Sequence, residues 1–89
     1  MQELNITIHN KVGLHARPAA LFVKTAKSFK SKIIVGKDDR VADAKSILNV
    51  LTLGAGQGAN VTLRAEGEDE ADAIEALRNL IESNFGEPE

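Results

Sequence analysis

The amino-acid sequence predicts an α+β fold in which a four-stranded, mostly antiparallel sheet carries three helices on one face. Four segments alternate apolar and polar residues, a pattern that is typical of half-buried strands. The remaining segments repeat apolar residues with helical spacing. The resulting order is βαββαβα over 89 residues, with no repeat and no linker. A chain of this length has room for one core, so we expect a single domain over residues 1–89 whose second sheet face is left to solvent.

The first strand and the first helix are predicted from a change in the spacing of apolar residues along the chain. Apolar and polar residues alternate over residues 3–8, and a loop through Asn10 and Gly13 follows. Helical spacing begins at Ala16 and ends near residues 28–30. The predicted core-facing residues of this helix are Ala16, Ala19, Phe22, Val23, Ala26 and Phe29.

A hairpin and a short helix are predicted in the middle of the chain. Two strands, residues 32–37 and 40–43, flank a short loop at residues 38–39, where two Asp residues favour a turn. Ser46 is the predicted N-cap of a short apolar helix over residues 47–53.

The last strand and the last helix follow a glycine-rich stretch, residues 54–58. We interpret this stretch as a helix stop and a flexible loop without a function of its own, because it lacks the preceding strand and the following Lys-Ser/Thr of a phosphate-binding loop. Residues 61–65 alternate as a fourth strand. Asp69 opens the last helix, which Gly86 and Pro88 end. The residues of this helix expected to point inward are Ile74, Leu77 and Ile81.

Composition excludes several classes of function. The chain has no Cys, which rules out disulfides, zinc ribbons and thiol catalysis. With no Trp or Tyr and three Phe, it lacks the aromatic platforms on which single-strand binding proteins stack bases. The longest purely apolar run, residues 19–23, is too short to cross a bilayer, and the N-terminal residues show no export signal. We therefore expect a soluble cytoplasmic protein that binds no nucleic acid and no membrane and uses no metal or cofactor.

The net charge of −2 conceals an uneven distribution. Residues 1–65 carry ten bases against four acids, whereas residues 66–89 carry nine acids against one base, Arg78. Two interpretations remain open at this point: two solvated faces of opposite sign, or a basic surface that docks acidic proteins.

His15 is the residue with the clearest chemical potential. It stands in the segment Gly13-Leu14-His15-Ala16-Arg17-Pro18, at the predicted start of the first helix. Unpaired backbone N–H groups and the positive end of the helix dipole favour an anion there, and Arg17 offers a guanidinium suited to phosphate oxygens. A neutral imidazole is a competent nucleophile. We interpret His15 as a phosphoryl acceptor; spacing alone leaves an exposed or capping histidine as the alternative.

The segment from Gly13 to Ala20, GLHARPAA, resembles the active-site segment of the histidine-containing phosphocarrier proteins, HPr, of the sugar phosphotransferase system. Length, element order, Lys45-Ser46-Ile47 and Leu53-Gly54 extend the resemblance over nearly the whole chain. The resemblance implies an open-faced β-sandwich. It also implies that His15 is phosphorylated on Nδ1 by enzyme I from phosphoenolpyruvate, and that the phosphoryl group then passes to the IIA domain of a sugar permease.

Ser46 is a second candidate site. As an N-cap, its hydroxyl satisfies a helix amide, and that structural role is sufficient by itself. The resemblance adds that the matching serine of many Gram-positive members is phosphorylated by an ATP-dependent kinase, which makes HPr kinase/phosphorylase and a transcriptional regulator further candidate partners. Many kinase-regulated members carry Met, Gly and Met where this chain has Leu48, Asn49 and Leu51, so the sequence departs from that pattern.

A docking surface for acidic partners is predicted beside His15. It combines one stripe of the first helix with apolar residues of a second helix that is too short to bury them all, and lysines form its rim. One of Leu48 and Leu51 is expected to pack inward. The predicted docking residues are Arg17, Ala20, Leu21, Lys24, Lys27, Lys45, Ile47, Leu48 and Leu51.

The predicted function is that of a monomeric phosphocarrier, which relays a phosphohistidine between two proteins instead of turning over a small substrate alone. A regulatory paralogue that serves nitrogen signalling or a dihydroxyacetone kinase system is the first alternative. A small acyl-phosphate hydrolase is another, but it needs a group such as Asn that holds a water beside Arg17, and none is evident. A purely structural binding module leaves His15 and Arg17 without a role.

Overall fold

The four predicted strands form one antiparallel sheet. The computed structural model describes residues 1–86. Its strands are β1 (Gln2–Thr7), β2 (Lys32–Lys37), β3 (Arg40–Asp43) and β4 (Asn60–Glu66). They lie in the order β1-β4-β2-β3, and each neighbouring pair is antiparallel, so β1 and β3 are the edges. The predicted α+β class and element order are confirmed.

Three helices cover one face of this sheet. They are α1 (Ala16–Lys27), α2 (Ile47–Thr52) and α3 (Glu70–Glu82), and a short 3₁₀ turn (Asn84–Gly86) follows. α2 is one residue shorter than predicted because Leu53 is its C-cap. Pro88, predicted to follow the last helix, lies outside the described residues. Over residues 1–86, no helix is both long enough and apolar enough to cross a membrane.

The core lies between the helices and the covered face of the sheet. Alternate residues of the central strands point into it, so Val35 of β2 and Leu63 of β4, which are paired in register, are both fully buried. Phe22 of α1 packs into the same cluster and is fully buried. The residues of α3 predicted to point inward are all buried: Ile74, Leu77 and Ile81.

The opposite face of the sheet is open to solvent, as predicted, and polar pairs cross it. The Asn5 side-chain amide donates to the Thr62 hydroxyl at 3.2 Å, and the Arg64 guanidinium donates to the Glu3 carboxylate at 2.7 Å. Each pair joins residues that are directly opposite in β1 and β4. Cross-strand side-chain pairs of this kind stabilise a sheet face that no second layer covers.

Asp69 links the start of α3 to the turn before β2. It occupies the N-cap position of α3, but its side chain makes no cap hydrogen bond. Its carboxylate instead accepts hydrogen bonds from the backbone N–H groups of Lys30 (2.8 Å) and Ser31 (2.9 Å), and from the Ser31 hydroxyl. The Ser31 hydroxyl first, and then the backbone donors, favour the charged form and lower the pKa of Asp69 to about 2.

We expect Asp69→Asn to lower the midpoint of thermal unfolding at neutral pH by about 5–10 °C, because a neutral amide is a weaker acceptor for these donors. The folded-state pKa lies below the ordinary value of 3.8, so the stabilisation by the carboxylate is complete above that value and is lost as the pH falls towards about 2. Thermal scans should therefore show the difference between the two proteins closing over this acid range. A difference that stays constant over the range contradicts this account.

A matched control for Asp69→Asn is Glu68→Gln. Glu68 pairs with Lys30 on the surface, where both side chains are largely exposed. Exposed ion pairs contribute little to stability, so this variant should unfold close to the wild-type temperature at every pH.

Candidate functional site

His15 lies at the start of α1 with its side chain exposed. It is the N-cap residue, its backbone is extended (φ −146°, ψ 157°), and its side chain makes no cap hydrogen bond. The residue lines a shallow pocket of about 190 Å³ between the loop before α1 and the end of α2. The pocket is lined by Val12, Leu14, His15, Leu51, Gly54, Ala55 and Gly56. The imidazole is therefore reachable from solvent, and the first amides of α1 do not occupy its nitrogen atoms.

The loop that carries His15 is held against the glycine-rich stretch after α2. Leu14 is buried, and its backbone N–H donates to the Ala55 carbonyl at 2.8 Å. Gly13 has a φ of +65°, and a Cβ at this position would lie 2.3 Å from the Ala55 carbonyl oxygen. Residues 54–58, interpreted from the sequence as a flexible loop without a function, thus support the His15 loop.

Ala16 has a backbone conformation that is unusual for a residue with a side chain. Its φ is +52°, in the left-handed region, which costs about 1–3 kcal/mol for a residue other than glycine. The side chain is exposed, so the prediction that Ala16 faces the core is wrong. The helical period does not hold at this first position, because the left-handed φ turns the side chain away. The strain lies between His15 and Arg17, and strained backbone is common at functional sites.

Arg17 is exposed two residues after His15. Within the part of the chain that the structure describes, no residue forms a hydrogen bond or ion pair with its guanidinium. The first backbone N–H groups of α1 also lack intrahelical acceptors, as at any helix start. Together with the positive end of the helix dipole, these donors favour an anion beside the His15 ring.

The apolar part of the predicted docking surface is exposed on α2. Leu48 exposes 75% of its surface and Ile47 exposes 39%, whereas Leu51 is half-buried and lines the His15 pocket. One of the two leucines therefore packs inward, as expected. Val12, which is 49% exposed, extends the apolar surface on the loop side and was not predicted. The sequence signal for such an exposed residue is an apolar side chain in a loop, outside the apolar pattern of any helix or strand.

The predicted docking residues of α1 and Lys45 differ in how far they are exposed. Along α1 the structure places four predicted residues besides Arg17, with Leu21 half-buried and with Ala20, Lys24 and Lys27 exposed. Lys45 differs, since it is half-buried and its ammonium donates to the Phe29 carbonyl at 2.7 Å, just beyond the end of α1. Lys45 therefore stabilises the end of α1 and is not a free charge at the rim.

Ser46 is the N-cap of α2, as predicted. Its Oγ accepts hydrogen bonds from the Asn49 backbone N–H at 3.4 Å and from the Asn49 side-chain amide at 2.8 Å. Lys45, just before α2, contacts the end of α1, whereas Leu51 reaches the His15 pocket, so α2 runs antiparallel to α1. Ser46 is thus separated from the His15 end by the six residues of α2, about 9 Å of helix.

Comparison with known proteins places the chain in one family. A family model described as PTS HPr component phosphorylation site matches residues 2–83. The phosphocarrier protein HPr of Cupriavidus necator is 45% identical over 89 residues, which is 100% of both chains. A protein called HPr-like protein Crh, from Halalkalibacterium halodurans, is 46% identical over 82 residues, which is 92% of this chain and 98% of its own.

A solved structure agrees with this assignment. The crystal structure of HPr-C-His from Thermoanaerobacter tengcongensis matches with a TM-score of 0.98 at 57% sequence identity, and the match covers 100% of both chains. The open-faced sandwich implied by the sequence resemblance is thereby confirmed. The chain belongs to the HPr family of phosphocarrier proteins of the phosphotransferase system.

Proposed function

We propose that His15 accepts a phosphoryl group from phosphoenolpyruvate by way of enzyme I and passes it to the IIA domain of a sugar permease. The observation that carries this proposal is the exposed His15 side chain at the start of α1, without a cap hydrogen bond and followed by an exposed Arg17. The description of the matching family model as a phosphorylation site supports it.

Transfer through Nδ1 of His15 is what the resemblance to the HPr family implies, and the step itself is ordinary imidazole chemistry. The Nδ1 lone pair attacks phosphorus, and the bond between phosphorus and its donor atom on enzyme I breaks as the new P–N bond forms. Nε2 keeps its proton during this step. The first amides of α1 and the Arg17 guanidinium stabilise the negative charge of the phosphoryl oxygens. Delivery to the acceptor reverses these steps, so the protein acts as a covalent intermediate.

Docking to both partners uses exposed residues of the His15 loop, α1 and α2. Val12, Ile47 and Leu48 supply apolar surface, and Lys24 and Lys27 supply positive charge. This combination suits a small, transient and electrostatically steered interface with an acidic partner. A relay requires transient binding, because the carrier must leave enzyme I before it meets the IIA domain. In this proposal the chain is one domain, acts as a monomer and works in the cytoplasm.

Intact-mass measurement after incubation with enzyme I and phosphoenolpyruvate tests the proposal. We expect one acid-labile phosphoryl group per molecule, which is lost to an added IIA domain. Without an acceptor, consumption of phosphoenolpyruvate should stop once each carrier molecule is modified. An acyl-phosphate hydrolase would instead gain no stable phosphoryl group and would release free phosphate continuously from an acyl phosphate.

A regulatory paralogue is the second candidate, because the chain is as similar to HPr-like protein Crh (46% identical) as it is to phosphocarrier proteins HPr (45% and 47% identical). Such a protein would serve nitrogen signalling or a dihydroxyacetone kinase system instead of sugar uptake. Offering the phosphorylated protein to IIA domains of sugar permeases and to paralogue acceptors separates the two candidates, because the measured rates show which acceptor takes the phosphoryl group.

Arg17→Ala should slow phosphoryl transfer in both directions by about one to three orders of magnitude, as expected when one clamp on the phosphoryl oxygens is removed. Rapid-quench measurement of single-turnover transfer from enzyme I checks this. The control is Arg64→Ala, since Arg64 lies on the open sheet face, paired with Glu3. Equal rates for the wild type and Arg17→Ala would show that the guanidinium takes no part in transfer.

Ser46 is proposed as a regulatory phosphorylation site for HPr kinase/phosphorylase. A phosphate at the start of α2 is electrostatically favourable for the helix, so its effect would fall on docking and not on folding. Ser46 lies at the end of α2 that faces the last turn of α1, where Lys24 and Lys27 are placed. Negative charge there opposes an acidic partner.

Ser46→Asp should therefore retain or slightly raise stability, because Asp is also a good N-cap. The same change should slow phosphorylation by enzyme I about three- to tenfold at low ionic strength. The difference should narrow with added salt, since the Debye length falls to about 8 Å at physiological ionic strength. Ser46→Asn is the control, because it keeps an N-cap without charge. If Ser46→Asp is phosphorylated at the Ser46→Asn rate in low salt, Ser46 is a cap only.

A further inference from the structure

Asn10 is a buried polar residue in the loop between β1 and α1, and the phosphoryl transfer described above gives it no role. Only 3% of its surface is exposed. Its side-chain amide donates to the Gly13 carbonyl at 3.0 Å, whereas its Oδ1 has no hydrogen-bond partner among the described residues. A buried acceptor without a partner is destabilising, which leaves the hydrogen bond from the side-chain amide as the interaction that favours Asn at this position.

The Asn10 side chain holds one end of a single peptide group. The carbonyl of Gly13 and the N–H of Leu14 belong to the same planar unit. The Asn10 amide binds its oxygen, and the Ala55 carbonyl accepts its N–H at 2.8 Å. A peptide group bound at both ends cannot rotate without losing a hydrogen bond. Its orientation is therefore fixed on one side by a side chain and on the other by the glycine-rich stretch.

One residue, Leu14, separates this peptide group from His15. Leu14 is buried at 2% exposure, and His15 follows it as the N-cap of α1. The Asn10 carbonyl also accepts the Gly13 N–H at 3.2 Å, which closes the same turn with the backbone. Among the described residues, Asn10 alone binds the Gly13–Leu14 peptide group through a side chain, so a substitution can remove this hydrogen bond selectively.

We propose that Asn10 is a positioning residue for phosphoryl transfer at His15: its side-chain amide fixes the Gly13–Leu14 peptide group and thereby the direction in which the chain presents the imidazole. The inference rests on the proposed function. In-line transfer needs the attacking nitrogen aligned with the bond that breaks, and small misplacements lower the rate strongly. Asn10 touches neither the phosphoryl group nor the partner; it acts through the peptide group.

Two substitutions at Asn10 test this role. Asn10→Ala removes the amide. Asn10→Asp keeps its shape and, assayed at a pH at which the new carboxyl group is ionised, replaces the N–H donor by an oxygen that cannot donate to the Gly13 carbonyl. We expect both to lower kcat for phosphorylation by enzyme I about tenfold. KM for enzyme I should change by less than about twofold, because the docking residues on α1 and α2 are unaltered.

The matched control is Ile81→Val, which removes one buried methyl group from α3, away from the His15 loop. All proteins are assayed well below their unfolding temperatures, and the control should keep the wild-type kcat. Hydrogen exchange gives a second readout: the Leu14 amide should exchange at least about tenfold faster in both Asn10 variants but not in the control. If Asn10→Ala does not fold, both kcat and hydrogen exchange are measured on Asn10→Asp alone.

The outcomes separate this inference from the proposed function. If the wild type accepts phosphate and the folded Asn10 variants match its kcat, the positioning role is wrong and the proposed function stands. A rise in KM at constant kcat, or an equal loss of kcat in Ile81→Val, also overturns the positioning role. A wild-type protein that takes no phosphoryl group overturns both.

Discussion

His15→Ala should abolish the acid-labile phosphate adduct and leave the fold unchanged. The side chain is exposed and makes no cap hydrogen bond, so its removal takes nothing from the core. Intact-mass measurement after incubation with enzyme I and phosphoenolpyruvate should show the unmodified mass only. The midpoint of thermal unfolding should stay within about 3 °C of the wild-type value, as for other surface substitutions.

His9→Ala provides the matched control, because His9 is the other histidine of the chain and is also exposed. Its backbone carbonyl accepts from the Gln57 side chain at 3.1 Å, and that contact survives removal of the ring. This variant should gain the phosphoryl group at the wild-type rate. An adduct that persists in His15→Ala, or that disappears in His9→Ala, would overturn the assignment of the acceptor.

Gly13→Ala should be among the most destabilising substitutions that replace a hydrogen by a methyl group. The added Cβ would lie 2.3 Å from the Ala55 oxygen and 2.6 Å from the Gly56 Cα, both of them backbone atoms that cannot move alone. The residue would also keep a φ of +65°, which is unfavourable for Ala. We expect a loss of about 3 kcal/mol in the free energy of unfolding, measured by urea titration, and a lower rate of phosphorylation.

Gly54 and Gly56, in the glycine-rich stretch after α2, separate the two causes of that loss, the close contact and the positive φ. Gly54 also has a positive φ, +63°, but a Cβ there meets nothing within 4 Å, so Gly54→Ala should cost only about 1 kcal/mol. Gly56 has no positive φ, and a Cβ there would meet nothing within 4 Å. Gly56→Ala should therefore leave the free energy of unfolding close to the wild-type value. Equal losses for Gly13→Ala and Gly54→Ala would show that the approach of Gly13 to Ala55 is not tight.

The elements that could be predicted from the sequence are those with local causes. The hairpin strands, residues 32–37 and 40–43, have the predicted bounds, since alternation and turn residues are visible over a few positions. Ser46 caps α2 as predicted, because a cap depends on a residue type and an amide three positions later. The positions of His15 and Arg17 at a helix start follow from the same kind of local pattern.

The parts of the candidate site that could not be predicted depend on contacts between distant segments. Leu14 meets Ala55, and Lys45 meets Phe29, only after the sheet has brought their loops together. The left-handed φ of Ala16 also has no local signal, because that conformation ordinarily favours glycine. The sequence therefore indicates which groups are suited to the chemistry, but not which backbone contacts hold them in place.

The antiparallel arrangement of α1 and α2 has a consequence for how such a carrier can diverge. His15 lies by the end of α2, and Ser46 lies at its start, so one short helix separates the proposed reactive end from the proposed recognition end. Substitutions near Ser46 can then adapt the surface to a new partner while the bond energy of the phosphohistidine, which determines how readily the group is passed on, stays unchanged. Duplicated copies of one gene can acquire separate partners in this way, as long as the substitutions also preserve docking to the phosphoryl donor that the copies share.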